Sequence, residues 1–460
     1  MVDHVADGLV IEPCSLIKGD VEFDAPASPD KSFTHRAIML ASMACGRSKI
    51  FNPLPGDDCL ATRAAFEMLG VKFSEEQDAL GRAVWIIESN GAQSWRSPKT
   101  PINLGNSGTS ARLLAGLFAG VPHLTVELGG DVSLEKRPMG RVVKPLRGMG
   151  AEIWGPTDGE TLKLTITGRL LLSRSLTIDV PSAQIKSAIL LAATAASGQT
   201  VIDLPSGGRD HTEKMLQALG ATIAKKSYLG RETISLVGPW RPQPFVCEVP
   251  ADPSSVAFFA ALAAMHPGLR INARNVMTNA TRIEFFKILA RMGLEIQWSS
   301  PQGVRPAKDP GYLGEDVSDV SFYRPRGIKL SAVAVQSDSS ALMLDEIPAL
   351  AVVCALAEGR SVIHGLQELK YKESDRLTQT VDLLTRSGVQ AKAVSESLEI
   401  TGTETPAAFS FGSDDHRMVM SAMILATRAS KASNIYGLRW IKTSFPLFLE
   451  AFQNIKSIMS

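Results

Sequence analysis

The chain has 460 residues, 45% of them hydrophobic and 21% charged, and its formal net charge is +1. The length predicts two or three domains, and the composition is typical of a globular protein. A charge so close to zero, with no basic segment, argues against a nucleic-acid-binding protein. The longest strongly apolar runs, such as IPALAVVCALA, are about half the length that spans a bilayer, so we expect no membrane partner.

The amino-terminal stretch MVDHVADGLVIEPCSL has no basic region and no long apolar run, so we expect no signal peptide and a cytoplasmic protein. Five cysteines are scattered without a C-x-x-C pair, which fits a reducing compartment better than a disulfide framework. His211 and His416 have no second ligand at metal-binding spacing, so no metal site is predicted.

Two phrases alternate along the chain, and the pair occurs six times. One is an Ala-, Leu- and Met-rich segment followed by a turn and a strand-like run, as in AIMLASMACGRSKIFN. The other is an amphipathic segment that ends at Gly before a short alternating run, as in RAAFEMLGVKF; the last copy is degenerate. These phrases predict an α/β (α+β) fold of six βαβαββ-type units.

The six units divide into two domains of three. Pro-dense residues 238–253 and the segment DAPASPD mark the boundaries. We predict a first domain over residues 26–248 and a second domain formed by residues 1–25 together with residues 249–460. The chain then crosses twice between the domains, which predicts a hinge and a ligand-binding cleft.

Polar residues, most of them cationic, recur at the starts of the apolar helices. In DKSFTHR, Lys31, Ser32 and Arg36 open the first Ala-rich helix, where cations oppose the helix dipole unless an anion is bound. In LGNSGTSAR, the small residues around Gly108 and Thr109 let backbone N–H groups approach an anion at a helix start. An ordinary capped helix and surface charges are the alternatives.

Two further stretches follow in the same half. Arg137 precedes Pro138, which fits a Pro in the first turn of a helix, and the guanidinium there suits phosphate or carboxylate. In PSAQIKSA, Ser182, Ala183 and Gln184 open another apolar helix and suit hydrogen bonds to a polar ligand.

Three candidates lie before other helices. Arg209 in SGGRDHTEK precedes a helix for which capping by Asp210 or Thr212 is the alternative. Arg417 in SDDHRMVM lies at the start of the last Ala-rich helix, and Asp345 in MLDEIPAL at the start of a largely apolar one, where capping is again the alternative.

In LKYKESDRLTQ, Lys372 and Arg376 are four residues apart and would share one face of a helix, with Glu373 beside them. Helix starts that converge on one cleft would bind a small, highly anionic ligand or a pair of such ligands. Asp345 and Glu373 are then the candidates for proton transfer.

These motifs, in this order, closely resemble those of the EPSP synthase (3-phosphoshikimate 1-carboxyvinyltransferase) family over nearly the whole chain. They are DKSFTHR, GNSGTSAR, KRPMGR, PSAQIKSA, RDHTEKML, DEIP, KESDRL, DHR and TSFP. KRPMGRV, RDHTEKML and ADPSS look most like the class II, often glyphosate-tolerant, bacterial branch.

The resemblance implies a two-domain enolpyruvyl transferase fold with its active site in the cleft between the domains. It also implies a reaction: phosphoenolpyruvate gives its enolpyruvyl group to the 5-hydroxyl of shikimate 3-phosphate by addition and elimination, and phosphate is released. The family uses no metal and no organic cofactor.

The resemblance also implies residue roles. Lys31, Gly108, Arg137, Gln184, Arg376 and Arg417 match positions that hold phosphoenolpyruvate, with Thr109 in the same loop. Lys31, Ser32, Arg36, Ser182, Ala183, Arg209, Asp345 and Lys372 match positions around shikimate 3-phosphate. Glu373 matches the proposed proton donor and Asp345 the proposed acceptor, and Lys31 is able to share either role.

Two positions depart from the family's pattern. Many glyphosate-tolerant class II enzymes have Ala at the position of Gly108, and without that methyl group we expect appreciable sensitivity to glyphosate. In IKTSFP, Lys442 lies one residue farther from the Phe than in the other bacterial branch, so Lys442 receives no role.

Two alternatives remain. UDP-N-acetylglucosamine enolpyruvyl transferase usually has Lys-Asn where this chain has Lys31 and Ser32, and it carries a loop cysteine that has no counterpart here. A catalytically silent anion-binding scaffold would not need Asp345 and Glu373 together with every cationic position. We expect a monomer, because no feature of the sequence demands a partner.

Overall fold

The computed structural model describes residues 7–14, 19–299 and 311–459. These residues form two compact units. The first unit contains residues 29–250 and 311–315, and the second contains the rest. The chain passes from one compact unit to the other at Ser28/Pro29 and Pro250/Ala251. The domain limits given above, residues 26–248 for the first domain, stay a prediction.

Helices and strands alternate along the first half of the chain. The strands are β1 (Gly8–Ile11), β2 (Val21–Asp24), β3 (Cys45–Phe51), β4 (Lys72–Gln77), β5 (Ala83–Asn90), β6 (Ile102–Asn103), β7 (Thr125–Gly129), β8 (Glu152–Trp154), β9 (Leu164–Thr167), β10 (Ser175–Thr177), β11 (Gly198–Pro205), β12 (Ile223–Tyr228), β13 (Arg231–Gly238) and β14 (Val246–Glu248). The helices are α1 (Lys31–Met43), α2 (Asp57–Met68), α3 (Gly108–Ala119), α4 (Val132–Glu135), α5 (Gly140–Gly148), α6 (Ala183–Ala193) and α7 (His211–Ala218).

The second half continues the alternation. Its strands are β15 (Leu269–Met277), β16 (Glu295–Ser299), β17 (Val317–Tyr323), β18 (Ala334–Val335), β19 (Arg360–Ile363), β20 (Gln390–Val394), β21 (Ser397–Thr401), β22 (Ser410–Gly412) and β23 (Ser433–Tyr436). Its helices are α8 (Pro253–Met265), α9 (Glu284–Met292), α10 (Ser337–Leu342), α11 (Ile347–Cys354), α12 (Arg376–Arg386), α13 (His416–Ala426) and α14 (Phe448–Met459). Short 3-10 helices include Gln367–Tyr371 and Leu438–Thr443.

One strand pattern recurs in every sheet of the described residues. In each sheet one edge strand pairs parallel with the strand that follows the first helix of a repeat, and the other neighbouring strands pair antiparallel. The orders are β14-β3-β5-β4, β6-β7-β9-β8 and β10-β11-β13-β12 in the first unit, and β2-β15-β17-β16, β18-β19-β21-β20 and the three-stranded β22-β23-β1 in the second. This recurrence confirms the predicted six βαβαββ-type units. The amino-terminal strands β1 and β2 both pair within the second unit.

The first helix of each repeat is buried along most of its length. All residues of α8, α11 and α13 are buried, and α3 approaches α6 so closely that a Cβ atom on Gly116 would collide with the Ala188 carbonyl group. A buried helix start must satisfy its N–H groups within the protein. Side chains do so at five of the six starts: the caps are Asp30, Ser107, Ser182, Asp252 and Asp415.

No helix in the part of the chain described by the structure is long and apolar enough to cross a membrane.

His266, at the end of α8, is buried, and its Nε2 lies 2.8 Å from the Thr427 hydroxyl. Burial, together with Arg428 and Arg324, lowers its pKa from 6.5 to about 3. Between pH 6.5 and pH 3 the unfolded chain binds a proton at this histidine and the folded chain does not. The contribution of His266 to the free energy of unfolding is therefore fully present above pH 6.5 and is lost as the pH falls. The slope is about 1.4 kcal/mol per pH unit.

We therefore expect the free energy of unfolding to fall by about 2 kcal/mol less in His266→Gln than in the parent when the pH is lowered from 6.5 to 5. Urea unfolding of both proteins across this range measures the effect. Equal losses in the variant and in the parent would contradict it.

Candidate functional site

The start of α1 in the first unit holds a fixed cation. The Asp30 carboxylate accepts a hydrogen bond from the Phe33 N–H group (2.7 Å) and so determines where α1 begins. The Lys31 ammonium lies 2.8 Å from the Asp58 carboxylate on α2, and both side chains are largely shielded from solvent. This pair holds the charge of Lys31 beside the helix start.

Arg36 lies inside the first unit. Its guanidinium donates hydrogen bonds to Thr212 Oγ1 (2.7 Å), Ser187 Oγ (2.8 Å) and the Ser32 carbonyl (2.9 Å). These contacts join the starts of α1, α6 and α7. A role at the substrate phosphate stays a prediction for Arg36, because these hydrogen bonds go to protein oxygens.

The loop before α3 is tied to α6 through Arg112. Arg112 Nη1 donates to Gln184 Oε1 (2.9 Å) and, at 3.3 Å, to the Gly108 carbonyl; Nη2 donates to the Pro138 carbonyl (3.2 Å). Gln184 Nε2 in turn donates to Thr109 Oγ1 (3.1 Å). The structure thus brings Gly108, Thr109 and Gln184 together.

Arg137 lies in the turn between α4 and α5. The expectation of a first-turn Pro138 is wrong, because α4 ends at Glu135 and α5 begins only at Gly140. The guanidinium of Arg137 is largely buried and donates to Asn106 Oδ1. Its Nε is buried and has no hydrogen-bond partner among the described residues. An unpaired buried N–H group is costly, which favours a ligand acceptor at this position.

Two guanidinium groups converge over Gly108. A Cβ atom built on Gly108 would lie 2.7 Å from Arg112 Nη1 and 3.1 Å from Arg137 Nη1. Both cations therefore face the start of α3, where the helix dipole also favours negative charge. The absence of a side chain on Gly108 lets both guanidinium groups approach this helix start. An anion site here stays a prediction.

A second loop passes over the start of α6. Ser182 caps this helix by accepting from the Ile185 N–H group, and a Cβ atom on Gly208 would lie 3.5 Å from the Ala183 nitrogen. Arg209 follows in the same loop and is half-buried. The structure thus brings Ser182, Ala183 and Arg209 into one neighbourhood.

The second unit gathers both predicted proton-transfer carboxylates around one arginine. Arg376 Nη1 donates to Asp345 Oδ1 (2.9 Å), and Nη2 donates to Glu373 Oε2 (2.6 Å). Lys372 Nζ lies 3.3 Å from the same Asp345 oxygen. These four residues, predicted from two separate motifs, form one cluster.

Lys372 and Arg376 do not share a helix, contrary to expectation. The Asp375 carboxylate accepts from the Thr378 N–H group (3.0 Å), so α12 begins at Arg376 and Lys372 lies outside it. The two cations meet at Asp345 because the chain turns between them, and not through helical spacing.

Asp415 completes the cluster from the opposite side of Arg376. It is fully buried, and its Oδ2 accepts from Arg376 Nε (2.7 Å). Burial disfavours the charged form of Arg376, but the carboxylates of Asp415, Glu373 and Asp345 outweigh it and raise the pKa of the guanidinium. Burial likewise opposes the ionised Asp415, and Arg376 still lowers its pKa. Arg376 and Asp415 are therefore both ionised.

Arg417 supports the same cluster through the backbone. Its N–H group donates to Asp415 Oδ1 (2.9 Å), and its Nη1 donates to the Asp345 carbonyl (3.2 Å). Lys442 is exposed within a 3-10 helix, and the structure gives no reason to assign it a role.

The sequence reasoning missed three residues of these clusters: Asp58, Arg112 and Asp415. Arg112 carried a signal, since it lies four residues after Gly108 and hence on the same face of α3. Asp415 carried one as well, as a helix cap in SDDHR. Asp58 carried none, because its pairing with Lys31 depends on tertiary packing. Residues 7–14, 19–299 and 311–459 contain no group of three or more His, Cys, Asp or Glu side chains placed to hold a metal ion.

Replacing Arg376 by Met should strongly destabilise the protein, because Asp415 would remain buried without its countercharge. Breaking a buried ion pair from one side costs about 3–5 kcal/mol. Urea unfolding measures this loss for Arg376→Met. Arg386→Met is the matched control on the same helix, since Arg386 pairs with Asp382 on the surface, and it should cost about 1 kcal/mol or less. Equal losses in the two variants would contradict the network.

Known proteins resemble this chain over nearly its whole length. Residues 11–452 match the EPSP synthase (3-phosphoshikimate 1-carboxyvinyltransferase) family. A 3-phosphoshikimate 1-carboxyvinyltransferase of Desulfitobacterium hafniense is 36% identical over 457 residues and covers 99% of both chains. One from Methylococcus capsulatus is 38% identical over 433 residues and covers 94% of each. The solved EPSP synthase of Acinetobacter baumannii superposes with a TM-score of 0.80 at 34% identity, over 98% of both chains. The chain therefore belongs to the EPSP synthase family and has its two-domain enolpyruvyl transferase fold.

Proposed function

We propose that this protein transfers the enolpyruvyl group of phosphoenolpyruvate to the 5-hydroxyl of shikimate 3-phosphate. The products are 5-enolpyruvylshikimate 3-phosphate and phosphate, on the shikimate pathway to chorismate and the aromatic amino acids. The convergence of Arg112 and Arg137 over the start of α3 is the observation that carries the proposal, because it creates a site for a small anion.

Both substrates are anions, so fixed cations must offset their repulsion. For phosphoenolpyruvate we propose contacts with seven residues, two of which are neighbours in one loop. They are Lys31, Gly108 with Thr109, Arg137, Gln184, Arg376 and Arg417. Arg137 supports this role with an unpaired buried N–H group. Arg376 is held in its place by Asp415.

For shikimate 3-phosphate we propose a second group: Lys31, Ser32, Arg36, Ser182, Ala183, Arg209, Asp345 and Lys372. The close passage of the Arg209 loop over the start of α6 supports a phosphate position there. Arg36 would act mainly through its charge, since its guanidinium donates hydrogen bonds to oxygens of Thr212, Ser32 and Ser187.

The proton transfers fall to two carboxylates. Asp345 accepts the proton of the 5-hydroxyl as that oxygen attacks phosphoenolpyruvate, while Glu373 protonates the methylene carbon. In the elimination step Glu373 takes a proton back from the new methyl group as the C–O bond to the phosphate breaks. The proton held by Asp345 leaves with the phosphate. Their shared contact with Arg376 supports these roles, because it fixes both side chains. Lys31 is able to share either role.

We further propose that the protein is a glyphosate-sensitive monomer of the cytoplasm. The cysteines are free thiols, as in reducing compartments. Neither a metal nor an organic cofactor takes part in the proposed reaction.

Phosphate release from the purified protein tests the function. Release should require both phosphoenolpyruvate and shikimate 3-phosphate, and Glu373→Gln and Asp345→Asn should each lower kcat about 10²–10⁴-fold because general acid–base catalysis is lost. Asp382→Asn is the control, since Asp382 pairs with Arg386 on the surface of α12. No release by a folded protein that binds both substrates would instead support the silent scaffold.

Gly108→Ala tests glyphosate sensitivity. The new methyl group would crowd Arg112 and Arg137 at 2.7 and 3.1 Å, so both side chains must move apart. Glyphosate is longer than phosphoenolpyruvate, and we expect its inhibition constant to rise about tenfold or more, equivalent to roughly 1.4 kcal/mol, with a smaller rise in the KM for phosphoenolpyruvate.

Gly148→Ala is the matched control, because a Cβ atom there meets only Leu176, at an ordinary 3.9 Å. Unchanged glyphosate inhibition in Gly108→Ala, or an equal change in Gly148→Ala, would count against the proposal.

A further inference from the structure

Two polar contacts join α1 to α2 in the first unit. Lys31 Nζ lies 2.8 Å from Asp58 Oδ2, and His35 Nδ1 lies 2.7 Å from Thr62 Oγ1. Each partner in the second contact lies four residues after its counterpart in the first, so both contacts lie on one face of each helix. The second contact fixes the helix pair that carries the Lys31 charge.

The second contact continues into α3. Thr62 Oγ1 lies 2.6 Å from Ser110 Oγ, which lies 2.6 Å from Ser107 Oγ. Ser107 is the cap of α3, and its oxygen also accepts from the Ser110 N–H group. His35, Thr62, Ser107 and Ser110 are all completely buried. We call this series the buried hydroxyl chain; it leads from α1 to the residue before Gly108.

His35 remains neutral in this chain. Burial lowers its pKa well below 6.5, and the nearby cations Lys31 and Arg36 lower it further. Its Nε2 is buried and has no partner in the ranges that the structure describes. If Nδ1 carries the proton, the buried Nε2 has only a lone pair without a partner, which costs less than an unpaired N–H group. In this tautomer His35 donates to Thr62, Thr62 donates to Ser110, and Ser110 donates to Ser107.

A buried threonine hydroxyl is able to form its hydrogen bond within its own helix, without contacts to other helices. Buried threonines elsewhere in the first unit donate to a carbonyl of their own helix: Thr34 to Asp30 (2.8 Å) and Thr194 to Leu191 (2.6 Å). Thr62 has such a carbonyl as well, on Asp58, but at 3.4 Å. The shorter contacts of Thr62 are those that connect separate helices.

We propose that Thr62 is a positioning residue that holds the start of α3 at a fixed place relative to Lys31. Gly108 and Thr109 follow the Ser107 cap directly, so a shift of this cap moves the loop proposed to hold phosphoenolpyruvate. Thr62 thereby determines the affinity for phosphoenolpyruvate and the discrimination against longer analogues. This inference rests on the proposed function.

Thr62→Val tests the proposal, because it removes the hydroxyl and keeps the shape. The KM for phosphoenolpyruvate should rise about tenfold, and the inhibition constant for glyphosate should change by a different factor. The KM for shikimate 3-phosphate should change less than twofold. Thr62→Ser should restore the parent values, since it returns the hydroxyl. Thr194→Val is the matched control, with a similar loss of stability and no change in either constant.

Ser110→Ala interrupts the chain at its next member and should reproduce the Thr62→Val result, so the test does not depend on one variant folding. Parent-like constants for phosphoenolpyruvate and glyphosate in a folded Thr62→Val or Ser110→Ala protein would overturn the proposal. A parent protein that releases no phosphate would overturn the proposed function instead, and the two failures are therefore distinguishable.

Discussion

The structure depends on the burial of the first helix in every repeat. A helix that is apolar on all sides has no solvent to receive the free N–H groups at its start, so the chain must supply acceptors there. Asp and Ser caps supply them at most of these starts. The dipole ends of these helices still favour negative charge. The constraint that organises the core thus also produces helix starts that favour a bound anion.

In the second unit a helix cap also holds a charged side chain of the candidate site. Asp415 caps α13 and at the same time holds Arg376, so one carboxylate satisfies a helix start and fixes a cation. Arg376 in turn holds Asp345 and Glu373. Buried ion pairs of this kind add little net stability compared with apolar packing. Their value lies in position, because three carboxylates on one rigid guanidinium have few alternative arrangements.

The sequence predicted the repeats well and the tertiary contacts poorly. The six units were readable because Gly-ended amphipathic helices and Ala-rich helices differ in periodicity and composition. Arg137 lies near Gly108, but Pro138 does not begin a helix as the sequence predicted. Lys372 and Arg376 were correctly grouped for a wrong reason, since a turn and not a shared helix joins them. The pairing of Lys31 with Asp58 carried no local signal, because it depends on how α1 packs against α2.

The two amino-terminal strands pair with strands that are synthesised much later, so their pairing is delayed during translation. Strand β2 leaves the ribosome long before β15, and Glu22 accepts a hydrogen bond from Asn272, 250 residues later in the chain. At ~5–20 residues per second, β2 waits roughly 10–50 s for β15, and β1 waits longer for β23. An unpaired strand is a template for aggregation. Both strands have only four residues, and such short edges offer little to a passing chain. The nascent protein therefore carries β2 unpaired until β15 has been made, and β1 unpaired until β23 has been made.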